Sequence, residues 1–369
     1  VKIFLDTNAF YKNWFLNKAN FKLLFHFVNN EWKEIVISKL VCQEVDNIRE
    51  RELNQLIQSI ENNLDKANKL NVSPLIFNKD TLGVVPYDFF SLLSNKASNV
   101  SVIDYESIPH SIVVDRALKN TKPFADGEKG YRDTLIWLSF LQYLKVNDIR
   151  GEVAFITNNK SDFYIINKKK VSFHPDLQKD IEEYGIRAEI KPYLTVFDFN
   201  SDCIDESEHL IDNDAFVSAA DDNLECECET YLDLLDNNGL DELFGTQLFS
   251  KKITSLSYIN ARIFEGVEDS DIKQVKRLND NLVYVIYEFN MRRVNFDITL
   301  DLVEYNQYSS EITSLYEYVD TEIDSENSEA TVNFLIRPCF KTSLVFNTES
   351  HDVDEFDVQD ISMYWKHKR

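Results

Sequence analysis

Over the first 200 residues, short apolar runs alternate with stretches in which apolar positions recur at helical spacing. Lys2 to Leu5 has the length and composition of a strand. After it Phe10, Trp14, Phe21, Leu24 and Phe25 fall on one helical face, with Thr7 or Asn8 placed to cap the helix. Glu34 to Ser38 reads as a second strand running directly into a long helix that carries Leu40, Val41, Val45, Ile48, Leu53, Leu56, Ile60 and Leu64. A mixed stretch from Val72 to Ile108 precedes a helix that starts near Ser111 and breaks at Lys122-Pro123, where a loop from Phe124 to Gly130 follows. Tyr131 to Leu144 is apolar on nearly every face and so predicts a buried helix; Val153 to Thr157 reads as a central parallel strand. Pro175 to Tyr184 then reads as a helix and Ile186 to Phe199 as one further strand. This alternation predicts an α/β sandwich around a parallel sheet, whose sites form beyond the carboxyl ends of the strands.

The pattern changes in the second half. Leu282 to Tyr287, the alternating Val294, Phe296, Ile298, Leu300 and Leu302, then Val332 to Ile336 and Ser343 to Phe346, follow a period of two. They predict an antiparallel β domain, a sandwich or a partly open barrel. Between the two patterns, residues 201–242 hold fifteen Asp or Glu and no Lys or Arg. That break predicts three parts: an α/β domain over 1–200, an acidic and partly disordered linker over 201–242, and an antiparallel β domain over 243–369.

Charge sharpens this division. Residues 1–200 carry 26 basic and 26 acidic side chains, whereas the remaining 169 carry 13 and 37, so the whole net charge of −24 lies in the second part. A balanced first half can present a basic rim to a polyanion, and Lys168-Lys169-Lys170 is a candidate for one; the second half should repel nucleic acid. No window approaches a membrane span and no secretory leader pattern precedes the first strand, which predicts a soluble, cytoplasmic protein. Five dispersed cysteines predict reduced thiols. Cys203, Cys226, Cys228 and His209 match no common structural zinc spacing.

Four carboxylates in the first half stand where strands end or helices begin: Asp6 after the first strand, Glu44 early in the long helix, Asp133 at the opening of the buried helix, and Asp162 after the central strand. Hard oxygen donors gathered from separate elements suit Mg²⁺ or Mn²⁺, which can bind a phosphodiester and acidify a water. Asp133 at a helix opening also favours the helix dipole, so capping and metal binding are compatible there. The segments Leu5-Asp6-Thr7-Asn8, Lys129-Gly130-Tyr131-Arg132-Asp133-Thr134-Leu135-Ile136-Trp137 and Thr157-Asn158-Asn159-Lys160-Ser161-Asp162-Phe163, with Glu44 between, resemble a PIN-domain nuclease of the larger bacterial PIN-like branch. The resemblance covers about residues 1–200. It implies a PIN-like sandwich with a central parallel sheet, with Asp6, Glu44, Asp133 and Asp162 as the catalytic and metal-holding acids.

At the fourth position the commoner family acid would fall on Asn159, an amide here, so Asp162 is assigned the role and Asn159 becomes a polar neighbour. Asn8 resembles the family's structural and substrate-orienting Asn, and Lys129 and Arg132 are candidate phosphate contacts. The resemblance further implies hydrolysis to 5′-phosphate and 3′-hydroxyl products, with RNA ahead of DNA as substrate. Two alternatives stay open: a PIN fold that binds nucleic acid or protein without cleaving it, and a single-strand or structure-specific DNA nuclease of a defence system. The acidic second half is expected to regulate the first or to mediate homo-oligomerisation or a protein partnership. Asp6-Thr7-Asn8 does not suit haloacid-dehalogenase chemistry, because the second acid is replaced by an amide. With eight glycines the chain shows no Gly-rich phosphate loop.

Overall fold

The computed structural model describes residues 1–31, 33–70, 77, 85–124, 129–167, 170–204, 211, 213–317 and 319–364. Its contacts divide the chain into two units: Val1–Asn17 with Phe21–Asp202, and Lys18–Asn20 with Cys203–Arg369.

In the first unit, β1 (Lys2–Leu5), β2 (Glu34–Ser38), β3 (Val100–Ile103), β4 (Glu152–Ile156) and β7 (Glu189–Tyr193) form a parallel sheet in the order β3-β2-β1-β4-β7. Around it run α1 (Ala19–Asn30), α2 (Lys39–Asn68), α3 (Phe89–Lys96), α4 (His110–Leu118), α5 (Tyr131–Val146), the one-turn α6 (Lys160–Phe163), α7 (Pro175–Tyr184) and α8 (Val196–Cys203). A hairpin of β5 (Tyr164–Asn167) and β6 (Lys170–Phe173) completes it. Strands buried on both faces explain the apolar runs: Ile3, Phe4 and Leu5 of β1 and Ala154, Phe155 and Ile156 of β4 are fully enclosed. Phe4 stacks on Phe155 with centroids 5.0 Å apart, and Trp137 of α5 meets Phe155 edge-on at 5.4 Å.

Chain order reverses at β1: β2 and β3 lie to one side, β4 and β7 to the other. That is the topological switch point, where the carboxyl ends of neighbouring strands leave a crevice between diverging loops.

Three local expectations differ from the structure. The first apolar helix is not continuous: Asp6, rather than Thr7 or Asn8, caps a 3₁₀ turn over Thr7–Phe10, and α1 begins only at Ala19. The long helix forms, but after its first turns it projects from the core, leaving Leu56 and Ile60 exposed. Ile186 to Phe199 is not a single strand, since β7 ends at Tyr193 and α8 starts at Val196. Asp198 accepts from Thr195 N at 3.0 Å, and this polar turn outweighs the apolar run on either side.

The second unit is built on an antiparallel sheet of β8 (Tyr258–Arg277), β9 (Leu282–Asp301), β10 (Val319–Asp324), β11 (Glu329–Ile336), β12 (Pro338–Asn347) and β13 (Val353–Met363). β9 pairs along one edge with β8; its other edge takes β11 over residues 294–301 and β12 over residues 282–290. β10 and β13 pair outside β11 and β12 respectively. This is one six-stranded sheet, not a sandwich or barrel. Its apolar face is covered by helices, chiefly α9 (Asn213–Asp233) and α10 (Asn237–Phe244), followed in the chain by α11 (Leu248–Lys252); α12 (Leu302–Thr313) follows β9. Leu302 therefore opens a helix capped by Asp301 instead of ending a strand.

The stretch read as an acidic linker thus contributes to a core. Phe216, Leu224, Cys228, Leu232, Leu240 and Leu243 are buried in the same cluster as Val285, Phe296 and Phe334 of the sheet. Charge density masked an amphipathic helix whose apolar face recurs every four residues. Within that stretch, residues 205–210 and 212 lie outside the described residues.

Candidate active site

Asp6 follows the last residue of β1 and is 3% exposed. Its backbone N–H still bonds to Ile156 O at 3.1 Å, extending the β1–β4 ladder by one step. Oδ1 accepts from Thr7 N at 2.7 Å; Oδ2 accepts from Thr157 Oγ1 at 2.7 Å and from Asn8 Nδ2 at 3.2 Å. Burial pushes the Asp6 carboxyl up to about 6, aided by the charge of Glu44 and opposed by the bonds from Thr157 and Thr7.

Asn8 staples the two loops together. Its Nδ2 also reaches Thr157 Oγ1 at 2.9 Å, and its Oδ1 accepts from Asn158 N at 2.9 Å. Thr157 is the centre of this small network, since its hydroxyl accepts from Asn159 N at 3.1 Å as well. The sequence reading gave it no role.

Glu44 comes from α2, whose start is fixed by Ser38 accepting from Leu40 N. One carboxylate oxygen accepts from Thr7 Oγ1 at 2.6 Å and the other pairs with Arg132 Nη1 at 2.5 Å. Asp46, two residues on, points elsewhere and accepts from Phe89 N, holding the start of α3.

Asp133 lies in the first turn of α5, as expected. No hydrogen bond or ion pair to its carboxylate comes from the described residues. Burial pushes it up to about 7, and the charges of Asp6, Asp162 and Glu44 push in the same direction, with Arg132 opposing them. Asp133 therefore feels the charge of three acids brought from the end of β1, from α2 and from α6.

Asp162 sits on α6, anchored by the buried Phe163 and capped by Asn159. Asn159 uses its backbone in the Thr157 network, and its side chain accepts from Ser161 Oγ at a long 3.5 Å. Asp162 Oδ1 accepts from Lys122 Nζ at 3.1 Å. Lys122 was read only as part of a helix break.

The segment bearing Lys122 is fixed from below. Its N–H donates to Asp176 Oδ2 at 3.0 Å, and its carbonyl accepts from Arg116 Nη2. Arg116 is buried and paired with Asp180 at 2.7 Å, while Asp180 also accepts from Trp137 Nε1 at 2.8 Å. Gly130, with φ +112°, packs against the same segment: an added Cβ would stand 2.4 Å from Pro123 O.

Of the cations expected to face substrate, Lys129 is exposed and Arg132 is bound to Glu44. Lys168 and Lys169 lie outside the described residues. Cys226 is exposed while Cys228 is enclosed in the sheet core, so the two thiols face apart and do not form a zinc pair.

The donor set suits a hard divalent cation: carboxylate oxygens only, in a crevice where one buried acid is raised by three others. The oxygens are not converged, however. Among the described residues no three Asp, Glu, His or Cys side chains form a metal-sized group; Glu44 is turned to Arg132 and Asp162 to Lys122.

Residues 3–163 match the family model of the PIN domain. No match was found among curated proteins or among solved structures. With that match and a five-stranded parallel sheet flanked by helices, the first unit of this chain is a PIN domain, to which a six-stranded antiparallel unit is appended.

Proposed function

We propose that this protein is a metal-dependent nuclease that hydrolyses phosphodiester bonds, with RNA as the preferred substrate and internal cleavage as its mode. The observation that carries this reading is the charge that Asp6, Glu44 and Asp162 place on the buried Asp133 beside the switch point of the sheet. Asp133, buried beside three further acids and with no bond to its carboxylate from the described residues, is costly to ionise. A divalent cation relieves that cost.

Asp6, Glu44, Asp133 and Asp162 would hold Mg²⁺ or Mn²⁺, which, once bound, neutralises phosphate charge and acidifies a water. The protein does the rest. Thr157 and Asn8 fix the Asp6 carboxylate, so little reorganisation is needed when a cation arrives. Arg132, 67% exposed on its side chain, can leave Glu44 for a phosphate, and the exposed Lys129 is a second candidate phosphate contact. Asn159 and Asn8 line the loops that receive the sugar-phosphate backbone.

The second unit is proposed to regulate or assemble the first. Its excess of acidic side chains repels the substrate and lowers nonspecific binding. Incubating the protein with labelled single-stranded RNA and DNA, with Mn²⁺ and with chelator, tests the activity and the substrate class together. Binding without turnover in Mn²⁺ would favour the non-catalytic reading.

A further inference from the structure

Lys122 differs from the other cations around the crevice in how firmly it is held. Its backbone N–H and carbonyl are both bonded, to Asp176 and to the buried Arg116–Asp180–Trp137 network. Its next residue packs against Gly130, where no side chain fits. Its side chain is 22% exposed and faces an Asp162 that is 18% exposed, whereas Arg132 on Glu44 is 67% exposed. Arg132 can swing into solvent at little cost; Lys122 has its stem covered and its partner half-buried.

We infer that Lys122 is the built-in cation of the Asp162 end of the crevice, so that the site takes one divalent ion and not two. This rests on the metal-dependent reading above. Two-metal phosphodiesterases place their ions about 3.5–4 Å apart and share carboxylates between them. Here one end of the shared set is already neutralised by an ammonium, a compact point charge with three donors. A second divalent ion on Asp162 would have to displace that ammonium or lie beside it. With Lys122 in place, the charge that a second ion would supply to the phosphate comes from the protein.

Counting bound Mn²⁺ by electron paramagnetic resonance tests this without any turnover. Cleft sites are those lost in the Asp6→Asn/Asp162→Asn double variant, which leaves the acidic second unit intact. The wild-type chain should bind one cleft ion. Lys122→Met, which keeps the backbone bonds to Asp176 and Arg116, should bind two, and Lys122→Arg should bind one. Two ions in the wild type overturn the inference with no variant needed, as does a count of one in a Lys122→Met protein that melts like the wild type. No cleft ion in the wild type overturns the metal reading itself.

Discussion

The Thr157 hydroxyl donates to Asp6 Oδ2 at 2.7 Å, joining the loop after β4 to the loop after β1. Because the same hydroxyl accepts from Asn8 and from Asn159 N–H, its proton is directed at the carboxylate. The bond favours the ionised form of a buried acid, and so partly offsets the burial that pushes Asp6 up to about 6.

The raised acids predict how stability depends on pH. Asp133 at about 7 and Asp6 at about 6 both lie above the ordinary Asp range near 3.9. Between those values the folded protein holds protons that the unfolded chain has released. This contribution is full below about pH 4 and is lost as the pH rises through 6 and 7. In chelator, the melting temperature should fall from pH 5 to pH 8, and Asp133→Asn should remove much of the fall. Millimolar Mn²⁺ should flatten it in the wild type. A pH profile identical in the wild type and Asp133→Asn would show that the acids are not coupled as described.

Gly130 predicts a local failure. An Ala there carries a Cβ 2.4 Å from Pro123 O at a φ of +112°, so the segment holding Lys122 or the start of α5 must shift. Strain of this kind costs about 1–3 kcal/mol. Gly130→Ala should lower the melting temperature by several degrees and reduce cleavage, since Arg132 and Asp133 begin the displaced helix. An unchanged melting temperature would contradict the packing.

At the fourth position, Asp162→Asn should reduce cleavage at least tenfold more than Asn159→Ala. Asp162 contributes charge to the crevice, while Asn159 acts mainly through its backbone. Single-turnover rates decide the order, and the reverse order would move the acid's role to the amide position.

The strands and the buried α5 were legible because strands enclosed on both faces must read as continuous apolar runs. Asp6, Asp133 and Asp162 stood out as candidates because each sits beside an element boundary, whereas Glu44, in the second turn of α2, was picked out through the resemblance. Lys122 and Thr157 were not, because their roles come from through-space bonds to Asp162 and Asp6, 40 and 151 positions away. The helix over Asn213–Asp233 was hidden for another reason. Its acidic face dominates the composition, and only the spacing of Phe216, Ala220, Leu224, Cys228 and Leu232 reveals the buried side.

The charge division predicts the behaviour of the first unit alone. A chain ended at Asp202, if soluble, should bind single-stranded RNA more tightly than the full chain at low salt, and the difference should shrink as salt screens the second unit. Equal affinities across the salt series, with oligomers lost on truncation, would assign the second unit to assembly instead.

Cleavage of labelled single-stranded RNA by the wild type and by Asp6→Asn, each with Mn²⁺ and with chelator, tests the central claim most directly. Removing a crevice charge of this kind should cost on the order of a hundredfold or more in rate. The account predicts 5′-phosphate fragments from the wild type in Mn²⁺, none in chelator, and none from a folded Asp6→Asn protein. Equal turnover by wild type and variant, or turnover unaffected by chelator, would contradict it.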